Sequence, residues 1–222
     1  MLSQAIEDYL KTIYKLQHSD TPKERVTTSV IAARLDVTAA SATNMIKKLA
    51  EMNLLVHTPY QGVELTLTGE KIALETIRHH RLIELYLAQA LSYPWDQIDA
   101  EADRLEHAIS EEFEDRIDKA LGYPTIGAHG EPIPTKQGEI KDLAYNRLSD
   151  LEIGCPAIIR RVSDRDPEML RYMGSIGLHL GTYVEVNERA PFSGPLQLRI
   201  NSDKVQSLGL EVAHNIFVDA VD

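Results

Sequence analysis

TTSVIAARLDVTAASATNMIKKLAEMNLLVHTPYQGVELTL, from Thr27 to Leu67, is the stretch that decides the fold. Thr27, Thr28 and Ser29 offer N-caps to a short helix carrying Val30, Ile31, Ala32 and Leu35. Asp36-Val37-Thr38 makes a tight connection, and the next helix turns Ala42, Met45, Ile46 and Leu49 inward. Leu54 and Val56 then alternate, Pro59-Tyr60-Gln61-Gly62 turns the chain, and Val63, Leu65 and Leu67 alternate again, which predicts a β-hairpin. A short helix, a three-residue turn, a longer helix and a hairpin in this order make a winged helix-turn-helix whose longer helix enters the major groove. Its outward residues suit that task. Thr38, Ser41 and Asn44 are able to hydrogen-bond base edges, with Ala40 beside them, and Lys47 and Lys48 reach phosphates. The wing tip, Tyr60 and Gln61, is expected near the backbone or minor groove. A helical module for protein contacts is the competing reading, since no strong basic cluster accompanies the motif.

Upstream, Ile6, Tyr9, Leu10, Ile13 and Leu16 recur at helical spacing, which predicts a helix over about residues 2–18, broken by the polar stretch Ser19–Arg25. Downstream, Thr68 is expected to cap a long helix containing Ile72, Leu74, Ile77, Leu82, Leu85, Tyr86 and Leu91. Pro94 and the acids after it open another helix to about Ala108, and Ser110-Glu111-Glu112 a third that ends at Gly122. Residues 122–147 have the Gly/Pro composition of a linker. Beyond Leu148, short β-prone runs at Ala157–Val162, Tyr183–Val186, Leu196–Ile200 and Asn215–Val218 lie between glycines, with one helix from about Pro167 to Gly174. That texture predicts a small β-barrel. The fold class is therefore multidomain and mainly α: a winged helix-turn-helix (1–72), an all-α domain (73–142) and a small barrel (143–222).

The 222 residues carry a net charge of −11, unevenly spread: residues 1–74 balance, residues 75–142 hold 15 acids against 7 bases, and the remainder contributes −3. Segregation matters more than the total for nucleic-acid binding. There is one cysteine, Cys155, and neither a signal-peptide pattern nor an apolar run of membrane-spanning length, which is expected of a cytoplasmic protein without a membrane partner.

Within the acidic block, Asp99, Asp103, Glu106 and His107 stand at offsets of 4, 7 and 8, one face of a helix, and His80 and Glu84 repeat the one-turn spacing. Asp8 lies on the first helix. Carboxylates paired with imidazoles at one-turn spacing are how helical proteins build divalent-metal sites, and like charges so placed repel without a cation. A solvated acidic face is the plain alternative. Glu114, Asp115 and Asp118 have no histidine neighbour in the sequence and read as surface charge, as do the other histidines. A di-metal carboxylate enzyme needs two matched Glu-x-x-His units, and only one comparable segment is present.

Six motifs occur in an order that resembles the diphtheria-toxin-repressor and manganese-transport-regulator family of metal-dependent transcriptional regulators. They are EDYLKTIY (Glu7–Tyr14), HRLIE (His80–Glu84), DRLEH (Asp103–His107), AHGEPIP (Ala128–Pro134), DRDPEMLRYMGSIGLHLGTYVEV (Asp164–Val186) and APFSGP (Ala190–Pro195). The resemblance spans essentially the whole chain and implies a homodimer, a middle domain that dimerises, a C-terminal SH3-like barrel and a double-stranded, partly palindromic DNA operator. It implies a primary metal site of Asp8, Asp103, Glu106 and His107 with His80 in reach, and an ancillary site of His80, Glu84, Asp99, His129 and Asp166, with Glu168 as a spare carboxylate. Asp166 is equally suited to cap the helix that follows it. Iron-responsive members have methionine and cysteine where Asp8 and Asp103 stand, and manganese-responsive members have Asp and Glu. Oxygen and imidazole donors suit Mn2+ first and Fe2+ second, with Zn2+, Co2+ or Ni2+ able to substitute in vitro. Lys11 stands where the short, two-domain manganese regulators have a glutamate, and Gly127 where some relatives have a cysteine. The implied function is metal-gated repression of metal-homeostasis genes, with a metal-independent winged-helix regulator as the alternative.

Overall fold

The computed structural model describes residues 2–19, 25–58, 61–201 and 204–221. The chain divides into two compact units: residues 1–82, 103–116 and 133–140 form one, and residues 83–102, 117–132 and 141–222 the other.

In the first unit, α1 (Gln4–Gln17) buries Ile6, Tyr9, Leu10, Ile13 and Tyr14. α2 (Thr28–Arg34) is capped by Thr27, whose hydroxyl accepts from Val30 N at 3.3 Å, and α3 (Ala39–Glu51) by Thr38, which accepts from Ser41 N at 3.2 Å. Asp36, at a left-handed φ of 51°, makes the bend between them. β1 (Leu55–Thr58) and β2 (Gly62–Leu65) pair antiparallel as the wing, with Leu55 opposite Leu65 and Thr58 opposite Gly62. The expected alternation is out of phase in β1. Leu54 and Leu55 are both buried and Val56 is 55% exposed, because Leu54 precedes the strand, its carbonyl accepting from Thr66 N, and the pleat starts at Leu55. α4 (Leu67–Leu91) is capped by Thr66, whose hydroxyl accepts from Gly69 N at 3.2 Å, rather than by Thr68, and Leu67 is exposed. A Cβ on Gly69 would lie 2.0 Å from the Leu54 carbonyl oxygen, so the wing and α4 meet as they do only because this residue has no side chain. Leu10, Ile13, Ile31, Ile46, Leu49 and Ile77 centre one continuous core.

α5 (Ile98–Leu105) is shorter than the acid run suggested, and α6 (Glu111–Ala120) follows. Glu106 and His107 lie in the turn after α5, so Asp99 and Asp103 are the two of the four expected ligands that it carries.

The second unit is built on a six-stranded antiparallel sheet in the order β3-β8-β4-β5-β6-β7: β3 (Asn146–Arg147), β4 (Pro156–Val162), β5 (Tyr183–Arg189), β6 (Leu196–Ile200), β7 (Lys204–Leu208) and β8 (Ile216–Ala220). Irregularities between Ile159 and Arg161 and between Val186 and Glu188 sharpen its bending. Among the described residues no ladder joins β3 to β7, so what is established is a strongly bulged sheet rather than the closed barrel expected. The helices α7 (Pro167–Ile176) and α8 (Leu210–His214) flank a core of Ile159, Leu170, Met173, Val184, Leu198 and Val218. Among the described residues no helix is long and apolar enough to cross a membrane.

Candidate functional site

On α1, Glu7, Asp8 and Lys11 share a face, being one and three residues apart. His107, from the turn after α5, is set between the first two: its Nδ1 lies 2.6 Å from Glu7 Oε2 and its Nε2 2.9 Å from Asp8 Oδ1. Nε2 is also 3.2 Å from Glu106 Oε1. One donor atom each from Asp8, Glu106 and His107 falls within 4.8 Å of the others. Two oxygens and an imidazole nitrogen fit a first-row divalent cation. Glu7 accepts from Nδ1–H, which leaves Nε2 as the ligating atom, the carboxylate–histidine arrangement that orients imidazoles in metal sites. Burial raises the Asp8 carboxyl and Glu106 adds to it, while His107 and Lys11 oppose, for a net rise.

The remaining expected primary residues face elsewhere. Asp103 and His80 both approach the Lys11 ammonium, Asp103 Oδ1 at 2.8 Å and His80 Nδ1 at 3.1 Å. Glu106 accepts from the same ammonium through Oε1 at 3.0 Å and Oε2 at 2.7 Å, and its Oε2 lies 2.6 Å from His80 Nδ1. Lys11 is only 7% exposed. Burial acts to neutralise it, yet Glu106 and Asp103 outweigh that and hold it charged. Burial acts equally to protonate those carboxyls, and Lys11, together with the His80 hydrogen bond to Glu106, keeps both below their ordinary values.

A second convergence belongs to the second unit. Donor oxygens of Glu84, Asp99 and Asp164 lie within 4.8 Å of one another, and His129 Nδ1 faces Glu84 Oε1 at 3.4 Å. His129 Nε2 donates to the Trp95 carbonyl at 3.0 Å, the orientation that turns Nδ1 toward the carboxylates. Gly130 fixes the loop: a Cβ there would stand 2.1 Å from the Arg160 carbonyl oxygen, and the His129 carbonyl accepts from Val162 N. Burial would discharge His129, but Glu84 and, less closely, Glu131 and Asp164 raise it to about 9. Asp164 carries no signal in the sequence beyond its place in the DRDP motif. Asp166, the residue expected in this role, spends Oδ1 on the N-terminus of α7, accepting from Glu168 N and Met169 N at 2.8 and 3.2 Å. Glu168 points to solvent beside Arg171.

A further cluster escaped the sequence reading. Arg78 Nε donates to Glu114 Oε1 at 2.6 Å, Arg78 Nη1 donates to the Pro134 carbonyl, and His79 Nε2 meets Glu114 Oε2 at 3.3 Å. His79 Nδ1 donates to the Glu106 carbonyl at 3.2 Å. Glu114, read as surface charge for want of a histidine neighbour, is thus a buried anchor for the turn that carries Glu106 and His107. Its carboxyl is lowered to about 2, burial being overcome by the His79 and Arg78 hydrogen bonds.

On α3, Ala40, Ser41, Asn44, Lys47 and Lys48 are all exposed along one face, as a groove-reading helix requires. Thr38 is exposed, but its hydroxyl is engaged as the cap and lies 2.9 Å from Ser41 Oγ. Gln61 is exposed at the wing, and Tyr60 lies outside the described residues.

Fold and donor sets together define a class, a winged-helix DNA-binding protein equipped to hold divalent cations. Residues 1–63 match the N-terminal DNA-binding domain of iron-dependent repressors, residues 66–135 their metal-binding and dimerisation domain, and residues 146–220 the FeoA domain. A solved manganese-dependent transcriptional repressor in complex with manganese is 36% identical, with a TM-score of 0.89 over 97% of this chain and 100% of that one. ScaR with bound Zn2+ is 32% identical, with a TM-score of 0.80 over 97% and 99%. The iron-dependent repressor IdeR of Mycobacterium tuberculosis is 29% identical over 99% of each chain. The chain belongs to the family of iron- and manganese-dependent transcriptional repressors, which act on DNA as metal-binding dimers and are not enzymes.

Proposed function

We propose that this chain is a cytoplasmic Mn2+-responsive repressor, with Fe2+ as the second choice, in which Asp8, Glu106 and His107 hold the sensing ion. The observation that supports this most directly is the convergence of a carboxylate from α1, the first helix of the DNA-binding domain, with two donors from the turn after α5. A bound divalent ion supplies the positive charge that cross-links these donors. Glu7 orients the His107 ring, and Glu114 and His79 hold the turn, so the turn's side of the cross-link is fixed in advance. No sulfur is among the donors, which favours Mn2+ over softer ions and leaves Zn2+, Co2+ and Ni2+ as substitutes in vitro. The manganese complex of the 36%-identical repressor supports the same ordering.

Glu84, Asp99, His129 and Asp164 form the ancillary site in this reading. Residues 1–72 read DNA, 73–142 dimerise and bind metal, and 143–222 form an SH3-like barrel. Ala40, Ser41 and Asn44 meet base edges, Lys47 and Lys48 meet phosphates, Gln61 and Tyr60 follow the backbone, and Thr38 sets the helix that presents them. The homodimer places two recognition helices about 34 Å apart on a partly palindromic operator before metal-homeostasis genes.

Electron-paramagnetic-resonance titration of metal-free protein with Mn2+ tests the site. His107→Ala is expected to lose the tightest ion and, with it, metal-stimulated operator binding. Unchanged uptake and full stimulation in that variant would remove the assignment and favour a metal-independent regulator.

A further inference from the structure

Lys11 brings its own positive charge to the edge of the primary site. Its Nζ has three carboxylate oxygens from Asp103 and Glu106 within 3.0 Å, and those two residues lie 92 and 95 positions away. Glu106 Oε1 looks both ways, 3.0 Å from the ammonium and 3.2 Å from His107 Nε2. The carboxylate therefore bridges an occupied cation position and the open donor set of Asp8 and His107, as carboxylates bridge paired metal ions.

We propose that Lys11 is a resident cation that fills the second cation position of this centre, so that the centre takes one divalent ion and Asp103 serves the ammonium instead of a second ion. The inference rests on the metal-site reading above. Burying the Glu106 carboxylate beside that of Asp103 requires a compensating charge, and a covalently attached ammonium supplies it at any metal concentration. An ion beside Asp8 and His107 then meets a preset Glu106. A second ion would have to displace a buried lysine from all its partners. Occupancy of the centre becomes a single binding event without the cooperativity of a pair.

The test uses Mn2+ and the full-length chain. In wild type, the signal of the bound ion at the primary centre is expected to stay that of an isolated Mn2+ up to saturation. Lys11→Gln frees Asp103 and Glu106, so it is expected to bind one more ion and to show the spectrum of a spin-coupled pair. Lys11→Gln combined with Asp103→Asn should lose that extra ion. Asp103→Asn alone, at a half-exposed side chain, should leave the affinity of the wild-type ion within about twofold. A coupled pair in wild type, or a loss of tenfold or more in Asp103→Asn, overturns the proposal, and the latter decides the matter even where Lys11→Gln fails to fold. Absence of the extra ion in folded Lys11→Gln overturns it too. His107→Ala serves as the control: if it retains the tight ion, the site reading has failed, and if it loses the ion while any overturning result holds, the lysine inference alone has failed.

Discussion

Glu114 shows how much one residue contributes through its surroundings. Its carboxylate is 5% exposed and divided between a guanidinium and an imidazole. A depression from 4.5 to about 2 corresponds to roughly 3 kcal/mol of stabilisation of the charged form. Because the folded-state value is the lower one, this contribution is complete above pH 4.5 and disappears as the pH falls toward 2. Glu114→Gln is expected to lower stability at pH 7 by roughly 3 kcal/mol and to flatten the acid limb, measured by denaturant unfolding from pH 7 to 3. An unchanged acid limb would mean that the pair is solvated. His129 has the opposite sign. Raised from 6.5 to about 9, it stabilises the metal-free fold fully below pH 6.5, and that stabilisation is lost as the pH rises through 9. The metal-free unfolding midpoint should fall between pH 6.5 and 9.5 in wild type, and much less in His129→Gln.

At the scale of the element, α3 separates folding from reading. Thr38→Ala removes the cap and is expected to cost about 1 kcal/mol of stability, seen in thermal unfolding without DNA. Asn44→Ala should leave stability alone and weaken specific binding far more than non-specific binding. Equal losses on both DNAs would show that Asn44 does not read bases. The caps of α2 and α3 and the buried row Ala42, Ile46 and Leu49 were legible because they are written at local spacing. The sequence spacing also singled out the residues that converge in the candidate sites, Asp8, Glu106 and His107 in one and Glu84 and Asp99 in the other, while Asp103, singled out with them, turns to Lys11. What was not legible depends on distant partners. Glu7 meets His107 across 100 positions, and Lys11 meets Glu106 across 95. α5 stops at Leu105 where Glu106 is drawn to Lys11 and its carbonyl to His79, a tertiary event that no periodicity records. β7, with only Leu208 buried, and the two-residue β3 carry no alternation to detect.

For the whole molecule, acidity and DNA binding must be reconciled. Residues 1–74 are neutral and residues 75–142 carry −8, so a cation held at Asp8, Glu106 and His107, as proposed, would act where carboxylates otherwise oppose the approach of phosphates. Any such effect is a coupling between two binding equilibria and is therefore reciprocal. If Mn2+ tightens operator binding of the preformed dimer by some factor, saturating operator must tighten Mn2+ binding by the same factor, at any protein concentration above dimerisation. The measurement is the Mn2+ dissociation constant with and without operator, set against operator affinity with and without Mn2+. Equal factors independent of protein concentration place the coupling within the dimer, where the link from α1 to the turn after α5 predicts it. Factors that change with protein concentration would place it in assembly of the dimer instead. His107→Ala should bring both factors to one together, and a variant that abolished one while sparing the other would mean that the two titrations report different sites.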